Sequence, residues 1–118
     1  HLGWPALWGE VADQLGGSAL WLAQLYDRDR WAAWDEVTAI IDRLAAREAK
    51  LKVRPRPFPV EWSGGVELYQ VRGTCCLYYR KGKAARANEE LYCAGCPIRS
   101  DDWRLERLRA HLEGEASR

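Results

Sequence analysis

Four cysteines, all in the C-terminal third of this 118-residue chain, are the residues whose spacing points most clearly to chemistry. They form two pairs, the adjacent Cys75-Cys76 and the Cys93-Ala94-Gly95-Cys96 turn, and none is left over. Adjacent cysteines fit zinc poorly, because zinc ligands are typically separated by roughly two to four residues. An iron–sulfur cluster needs four thiolates and tolerates varied spacing, so the pattern predicts a [2Fe–2S] cluster and electron transfer.

Zinc and disulfides are the alternative uses of these cysteines. Zinc would act as a structural staple without redox chemistry. Disulfides are typical of small secreted proteins, but here the cysteines form one local cluster and residues 1–74 contain none. That distribution favours a metal site in a reducing compartment. Gly73 makes a bend before the adjacent pair inexpensive, which both thiolates of that pair need in order to reach one cluster.

Around the cysteines the sequence resembles a known family. The run Arg72-Gly73-Thr74-Cys75-Cys76-Leu77-Tyr78-Tyr79-Arg80, followed by Cys93-Ala94-Gly95-Cys96-Pro97, is similar to the C-terminal signature of FhuF-like ferric-siderophore reductases. The segment Leu7-Trp8-Gly9 also resembles the start of that family's C-terminal half. The resemblance is specific over residues 72–97 and loose over the rest of the chain.

The resemblance implies that Cys75, Cys76, Cys93 and Cys96 hold a [2Fe–2S] cluster that reduces siderophore-bound Fe(III) by one electron. Fe(II), which the hard oxygen ligands bind far more weakly, would then be released. The chain departs from the family in its longer gap, residues 77–92, and in lacking the N-terminal half that the family's members usually have. If that half builds part of the siderophore pocket, this chain would hold the cluster without full activity. A non-enzymatic electron carrier and a zinc-stapled interaction module are the competing hypotheses.

Basic residues around the cysteines are candidates for docking an anionic substrate or partner. They are Arg72, Arg80, Lys81, Lys83 and Arg86. Residues 80–86 fit a solvated loop at least as well, which is the simpler interpretation. The chain has no glycine-rich nucleotide-binding motif, so a reductase activity would require an external electron donor.

Composition and charge limit the other possibilities. The length predicts a single domain over residues 1–118, and a formal net charge of +1 argues against a dedicated nucleic-acid-binding protein. No stretch is long and apolar enough to span a bilayer, and no signal peptide is evident. We therefore expect a cytoplasmic protein, or one that is peripheral at the inner membrane.

Apolar spacing predicts a mainly helical N-terminal part, over about residues 5–52. A first helix begins at Pro5 and ends at Gly16-Gly17, and a second, capped by Ser18, is apolar on nearly every side and therefore central. A third runs from Asp29, its N-cap, to Lys50, with Arg47, Lys50 and Lys52 favourable at its C-terminal end. The apolar stripes expected in these helices comprise Leu7, Trp8, Val11, Leu15, Trp34, Val37, Ile41, Leu44 and Leu51.

The remaining part, over about residues 53–114, is predicted to hold a β-hairpin and a last helix. Alternate prolines over residues 54–59 exclude helix, and strands over 60–62 and 66–71 flank a Ser63-Gly64-Gly65 turn. A last helix is capped by Ser100, carries acidic residues in its first turn and ends at Gly114. Its expected buried residues are Trp103, Leu105, Leu108 and Leu112. The predicted fold is therefore α+β, with the cysteine loop between the hairpin and the last helix.

Tryptophans and histidines are interpreted as structural. We expect Trp21 and Trp34 in the core, while Trp62, beside a turn, is a weaker candidate for burial. His111 has no cysteine or histidine at ligand spacing, so it is predicted at the surface. The acidic pair Asp101-Asp102 is better explained as charge at a helix N-terminus than as a catalytic pair.

Overall fold

A two-stranded antiparallel hairpin lies between a pair of helices on one face and a single helix on the other. The structure, a computed structural model, describes residues 3–74, 97 and 99–116. The elements in that part are α1 (Trp4–Leu25), α2 (Arg30–Arg47), β1 (Arg56–Trp62), β2 (Gly65–Val71) and α3 (Asp101–Ala116). The α+β class predicted from the sequence is confirmed.

Alternating residues of the hairpin face opposite layers. Leu68 of β2 joins the core formed with α1 and α2, together with Trp34, Val37 and Ile41. On the other face, a second core packs residues of both strands against α3, and it comprises Phe58, Val60, Val71 and Leu108. This alternation is expected for a strand that is covered on both sides. The hairpin therefore contributes residues to both hydrophobic cores, one on each of its faces.

Helix α1 passes straight through Gly16-Gly17, so the prediction of two helices separated there is wrong. A Cβ atom on Gly16 would overlap Gln70 Oε1 and lie 3.2 Å from Trp34 and 3.3 Å from Pro55. Glycine at this position permits close packing of α1 on the hairpin, at a helix-propensity cost of about 1 kcal/mol. Ser18 consequently lies inside the helix rather than at a cap.

The second half of α1 is more exposed than predicted. Trp21 is 61% exposed, and Leu22, Leu25 and Tyr26 are exposed as well, so the expectation of a central helix with Trp21 in the core is wrong. The buried face instead carries small or apolar residues at three- and four-residue steps, together with one charged residue, Asp13. Its members are Gly9, Ala12, Asp13, Gly16, Leu20 and Ala23. Leu7 and Val11, expected in the stripe, lie outside it and are exposed.

Helix α2 follows its prediction closely at the N-terminus. The side chain of Asp29 accepts a hydrogen bond from Ala32 N at 3.1 Å, as expected of an N-cap. Trp34, Val37 and Ile41 are buried, as predicted. The helix ends at Arg47, before the predicted Lys50, so Lys50 and Lys52 lie beyond its last turn. Leu51 belongs to the segment that follows the helix, and its side chain is buried in the core.

The hairpin is confirmed, with a longer first strand than predicted. Its register pairs Arg56 with Val71 and Trp62 with Gly65, so Ser63 and Gly64 form the connection. Pro57 and Pro59 lie within β1. Because they are two residues apart, both can occupy pairs that do not need their N–H groups, which is where an edge strand tolerates proline.

Helix α3 begins as predicted and ends later. Ser100 Oγ accepts a hydrogen bond from Trp103 N at 3.1 Å, and Asp101 and Asp102 occupy the first turn. The helix continues through Gly114 to Ala116. Leu108 is buried, whereas the other three expected residues, Trp103, Leu105 and Leu112, are half-buried. His111 is exposed, as predicted. None of the helices in the described ranges has the length and apolarity needed to cross a membrane.

Candidate functional site

The four cysteines lie outside the described residues, as do Arg80, Lys81, Lys83 and Arg86. The structure describes the chain on both sides of that segment, up to Thr74 before it and from Pro97 and Arg99 after it. Within the described residues no group of three or more His, Cys, Asp or Glu side chains is arranged to hold a metal ion. Residues 75–96 contain all four cysteines and are called the cysteine segment below. The described part of the candidate site consists of the residues that hold the two ends of this segment.

Asp13 of α1 binds the chain immediately before Cys75. Its side-chain Oδ1 accepts a hydrogen bond from Gly73 N at 2.8 Å, and Oδ2 accepts from Thr74 N at 3.1 Å and Thr74 Oγ1 at 2.6 Å. Asp13 is only 2% exposed, so these bonds compensate the cost of removing a carboxylate from water. We call this arrangement of Asp13, Gly73 and Thr74 the upstream anchor.

Arg72 completes the charge balance of the upstream anchor. Its Nε lies 3.4 Å from Asp13 Oδ2, and its guanidinium also forms an ion pair with the Glu10 carboxylate. The side chain is 19% exposed. Arg72, predicted as a docking residue, thus shares its charge with two carboxylates of α1.

Two glycines make room for the upstream anchor. Gly73 lies in a bend, as predicted, and a Cβ there would lie 2.7 Å from the backbone oxygen of Arg54. A Cβ on Gly9 would overlap the methyl group of Thr74. A side chain at Gly9 would force Thr74 away from α1, and one at Gly73 would force the strand end away from Arg54, because real Cβ atoms essentially never approach so closely. The Leu7-Trp8-Gly9 and Arg72-Gly73-Thr74 segments therefore meet in the fold.

Arg104 of α3 holds the chain after the cysteine segment. Its Nη2 donates a hydrogen bond to the carbonyl oxygen of Arg99 at 3.0 Å, and Nη1 pairs with the Asp101 carboxylate. The guanidinium also lies over the ring of Phe58, 5.4 Å from its centroid. Arg104 is 0% exposed, so its charge is satisfied entirely inside the fold. Arg104, Arg99 and Asp101 form the downstream anchor.

Strand β1 brings the two anchors to the same end of the hairpin. Arg56 pairs with Val71, one residue before Arg72, in the register of the sheet. Its Nη2 also donates to Asp101 Oδ1 at 2.6 Å, and this hydrogen bond lowers the pKa of the Asp101 carboxyl. The residues flanking the cysteine segment consequently return to one strand end, which is compatible with both cysteine pairs serving one four-thiolate site.

A small surface pocket of about 220 Å³ adjoins the upstream anchor. Its lining residues are Asp13, Gln14, Gly17, Ser18, Trp21, Gln70 and Arg72. Gln70 Nε2 donates to the backbone oxygen of Asp13 at 2.8 Å, while Gln70 Oε1 is buried without a hydrogen-bond partner. The pocket therefore presents an aromatic ring next to polar groups beside the start of the cysteine segment.

Asp13 and Arg104 were not identified from the sequence. They are the two buried charged side chains among the described residues, and each binds a flank of the cysteine segment. For Asp13 a signal existed, because it shares a helical face with Gly9, Ala12 and Gly16, where small residues indicate close packing. For Arg104 no periodic signal distinguishes it from the other arginines of α3.

Comparison with known proteins supplies no further assignment. A scan against protein-family models, a search of curated proteins and a search of solved structures each found no match to this chain.

Proposed function

We propose that this chain is the cluster-binding part of a ferric-siderophore reductase of the FhuF-like type. Cys75, Cys76, Cys93 and Cys96 bind a [2Fe–2S] cluster, and one electron passes to siderophore-bound Fe(III) so that Fe(II) is released. The observation that carries the proposal is the cysteine pattern, with its adjacent pair and its Cys-x-x-Cys pair in a segment whose two flanks are held at one strand end.

Additional support comes from the segments that carry the family resemblance. Leu7-Trp8-Gly9 and Arg72-Gly73-Thr74 are far apart in sequence, yet Gly9 makes room for Thr74. A chance likeness at two unrelated places would have no reason to coincide in space. The two segments therefore pack against each other through Gly9 and Thr74, immediately before the first cysteine in the sequence.

The donor set fits the group, since thiolates are the usual ligands of iron–sulfur clusters. When bound, such a cluster supplies a single electron. The chain's own residues hold the segment flanks through Asp13 and Arg104, and Arg72 offsets the negative charge of Asp13. The reaction needs no general acid or base, because the change in iron oxidation state by itself weakens the bonds to the siderophore oxygens.

The proposal also covers partners and location. The substrate is a ferric siderophore, and the electron comes from an external donor. We propose that the protein acts in the cytoplasm, where thiolates stay reduced, or at the inner face of the membrane. The basic residues Arg80, Lys81, Lys83 and Arg86 are the proposed docking residues for an anionic partner, in addition to Arg72.

The first test is the absorption spectrum of anaerobically purified protein, with iron and acid-labile sulfide assays. We expect a red-brown protein with about two irons and two sulfides per chain that bleaches with dithionite. Cys76→Ser should lose this spectrum. Ile41→Val, a core change remote from the anchors that costs about 1 kcal/mol, should retain it.

Two other outcomes would replace the proposal. Colourless protein with stoichiometric zinc would indicate a zinc-stapled interaction module. A cluster that reduces protein partners but turns over no ferric hydroxamate or catecholate would indicate a non-enzymatic electron carrier. Fe(II) release from a ferric siderophore by the pre-reduced protein, measured with a ferrous chelator, is the result that supports a reductase.

A further inference from the structure

We propose that Asp13 and Arg104 are positioning residues, which fix the backbone at the two ends of the cysteine segment before any metal binds. The inference rests on the proposed function for its purpose, because it assigns these two buried charges to the organisation of the cysteine ligands. Neither residue contacts substrate in this proposal. Asp13 acts on the side of Cys75 and Cys76, and Arg104 on the side of Cys93 and Cys96.

Both buried charges bind backbone groups next to the cysteine segment. Asp13 binds backbone N–H groups of Gly73 and Thr74, and Arg104 binds the backbone carbonyl of Arg99. A charge retained only to fill a core would be replaced at little cost by an apolar side chain of similar size. Hydrogen bonds to the main chain, in contrast, determine the path of the backbone. Both charges are therefore used to fix backbone immediately next to the cysteine segment.

The two anchors connect the cysteine segment to different layers of the fold. Asp13 joins α1 to the end of β2, and Arg104 joins α3 to the chain before it while its guanidinium covers Phe58 of β1. Each end is thus attached to a different helix, and Arg56 joins both ends through β1. None of these contacts uses a cysteine thiolate or a metal ion, so they can hold both flanks in the metal-free protein. The ligand flanks are preorganised, which lowers the ordering cost of binding the cluster.

The sharpest test measures cysteine alkylation in metal-free, reduced protein under native conditions. Iodoacetamide labelling of each cysteine is followed by peptide mass spectrometry and normalised to the urea-unfolded chain. Asp13→Asn should accelerate labelling of Cys75 and Cys76 about tenfold while leaving Cys93 and Cys96 within about twofold, because local opening is confined to the released end. Arg104→Met should show the reverse pattern.

Matched variants separate positioning from general loss of stability. Val37→Ala removes buried volume between α1 and α2 without touching either anchor, and it should not accelerate one cysteine pair over the other. Arg104→Lys, which keeps the charge but loses the planar fork, should give an intermediate effect. If Asp13→Asn does not fold, Thr74→Val removes only the hydroxyl hydrogen bond and should show the same selectivity at smaller size.

The outcomes also separate this inference from the proposed function. If the wild-type protein assembles a cluster but both anchor variants accelerate all four cysteines equally, positioning is refuted and the reductase proposal stands. If the wild type assembles no cluster but the labelling is pair-selective, the reductase proposal fails and the anchors stand. In loaded protein, Asp13→Asn should release iron to a chelator about tenfold faster than Val37→Ala. Equal release rates would contradict the inference.

Discussion

The two anchors of the cysteine segment use opposite charges and opposite backbone groups. Asp13 is an anion that collects N–H and hydroxyl donors, whereas Arg104 is a cation that donates to a carbonyl and a carboxylate. They also differ in range. Asp13 reaches Gly73 across 60 positions of sequence, while Arg104 reaches Arg99 across only five. The upstream anchor is therefore a product of tertiary packing, and the downstream anchor is largely a feature of one helix start.

This difference determines how each anchor fails. The upstream anchor requires α1 to lie close to the hairpin, which depends on glycines at the contact and on the Gln70 amide over Gly16. Among the described residues, the downstream anchor uses the first turn of α3 and its contact with β1. Changes in helix packing should consequently release Thr74 while leaving Arg99 held.

Gly73→Ala should break the upstream anchor most severely. The added methyl group would lie 2.7–2.9 Å from backbone atoms of Arg54, which cannot move aside as a flexible side chain would. We expect a loss of about 2–3 kcal/mol in the free energy of unfolding, measured by urea titration, from overpacking against the Arg54 backbone.

Gly114→Ala is the control for this glycine. A Cβ at Gly114 has nothing within 4 Å, and the residue is exposed in the last turn of α3. The change should stabilise the protein by at most about 0.5 kcal/mol through helix propensity. If Gly73→Ala lowers the free energy of unfolding no more than a typical surface substitution does, the strand end is not held against Arg54.

Gly16→Ala and Gly17→Ala form the second test, because the two neighbours differ only in what they face. A methyl group on Gly16 would meet Gln70, Trp34 and Pro55, whereas on Gly17 the nearest atom is Gln70 Nε2 at 3.1 Å. Overpacking at Gly16 outweighs the helix-propensity gain, so we expect a net loss of about 1 kcal/mol. At Gly17 the gain should dominate and give about 0.5 kcal/mol of added stability.

Amide hydrogen exchange gives the matching local readout. Gly16→Ala displaces the Gln70 amide, which binds the backbone of Asp13, and should therefore reduce protection of the Gly73 and Thr74 amides. Protection at Arg104 N, which donates to Ser100 O at 3.0 Å within α3, should not change. Equal loss of protection at both ends would show that the anchors are coupled rather than separate.

The contrast between local and long-range structure also explains what the sequence could predict. Asp29 and Ser100 were identified as N-caps because a capping side chain acts within three residues of itself. The hairpin followed from its glycine-containing turn. Gly16-Gly17 was misread as a helix end, because the reason for glycine there is Gln70, which lies in another element. No local pattern records such a contact.

The candidate site divides in the same way. The cysteine ligands were proposed from their types and spacing, and that assignment stays a prediction because these residues lie outside the described ranges. The sequence did not identify Asp13 or Arg104, because charged residues in helices are usually exposed. Their burial depends on packing against other elements, which is α1 against the end of β2 for Asp13 and α3 against Phe58 of β1 for Arg104. Among the docking candidates, Arg72 could not be assigned to Glu10 and Asp13 without the packing of α1 on β2.

The smallest expected effect concerns the exposed link between the anchors, the Arg56–Asp101 ion pair. Its side chains are 52% and 57% exposed, so Arg56→Gln should lower the melting temperature only slightly near neutral pH. The hydrogen bond from Arg56 lowers the pKa of Asp101 below its ordinary 3.8. A lowered folded-state pKa contributes stability above the unfolded value and loses it as the pH falls through the folded value.

The difference in melting temperature between the wild type and Arg56→Gln should therefore be constant above about pH 5 and shrink below pH 3.8, as Asp101 becomes protonated in both proteins. Thermal unfolding monitored by circular dichroism over this pH range measures it. High salt should shrink the same difference at neutral pH, because the pair is exposed. A difference that persists unchanged in acid would mean that Arg56 stabilises the downstream anchor through packing on Phe58, whose ring centroid lies 5.9 Å from its guanidinium, and not through Asp101.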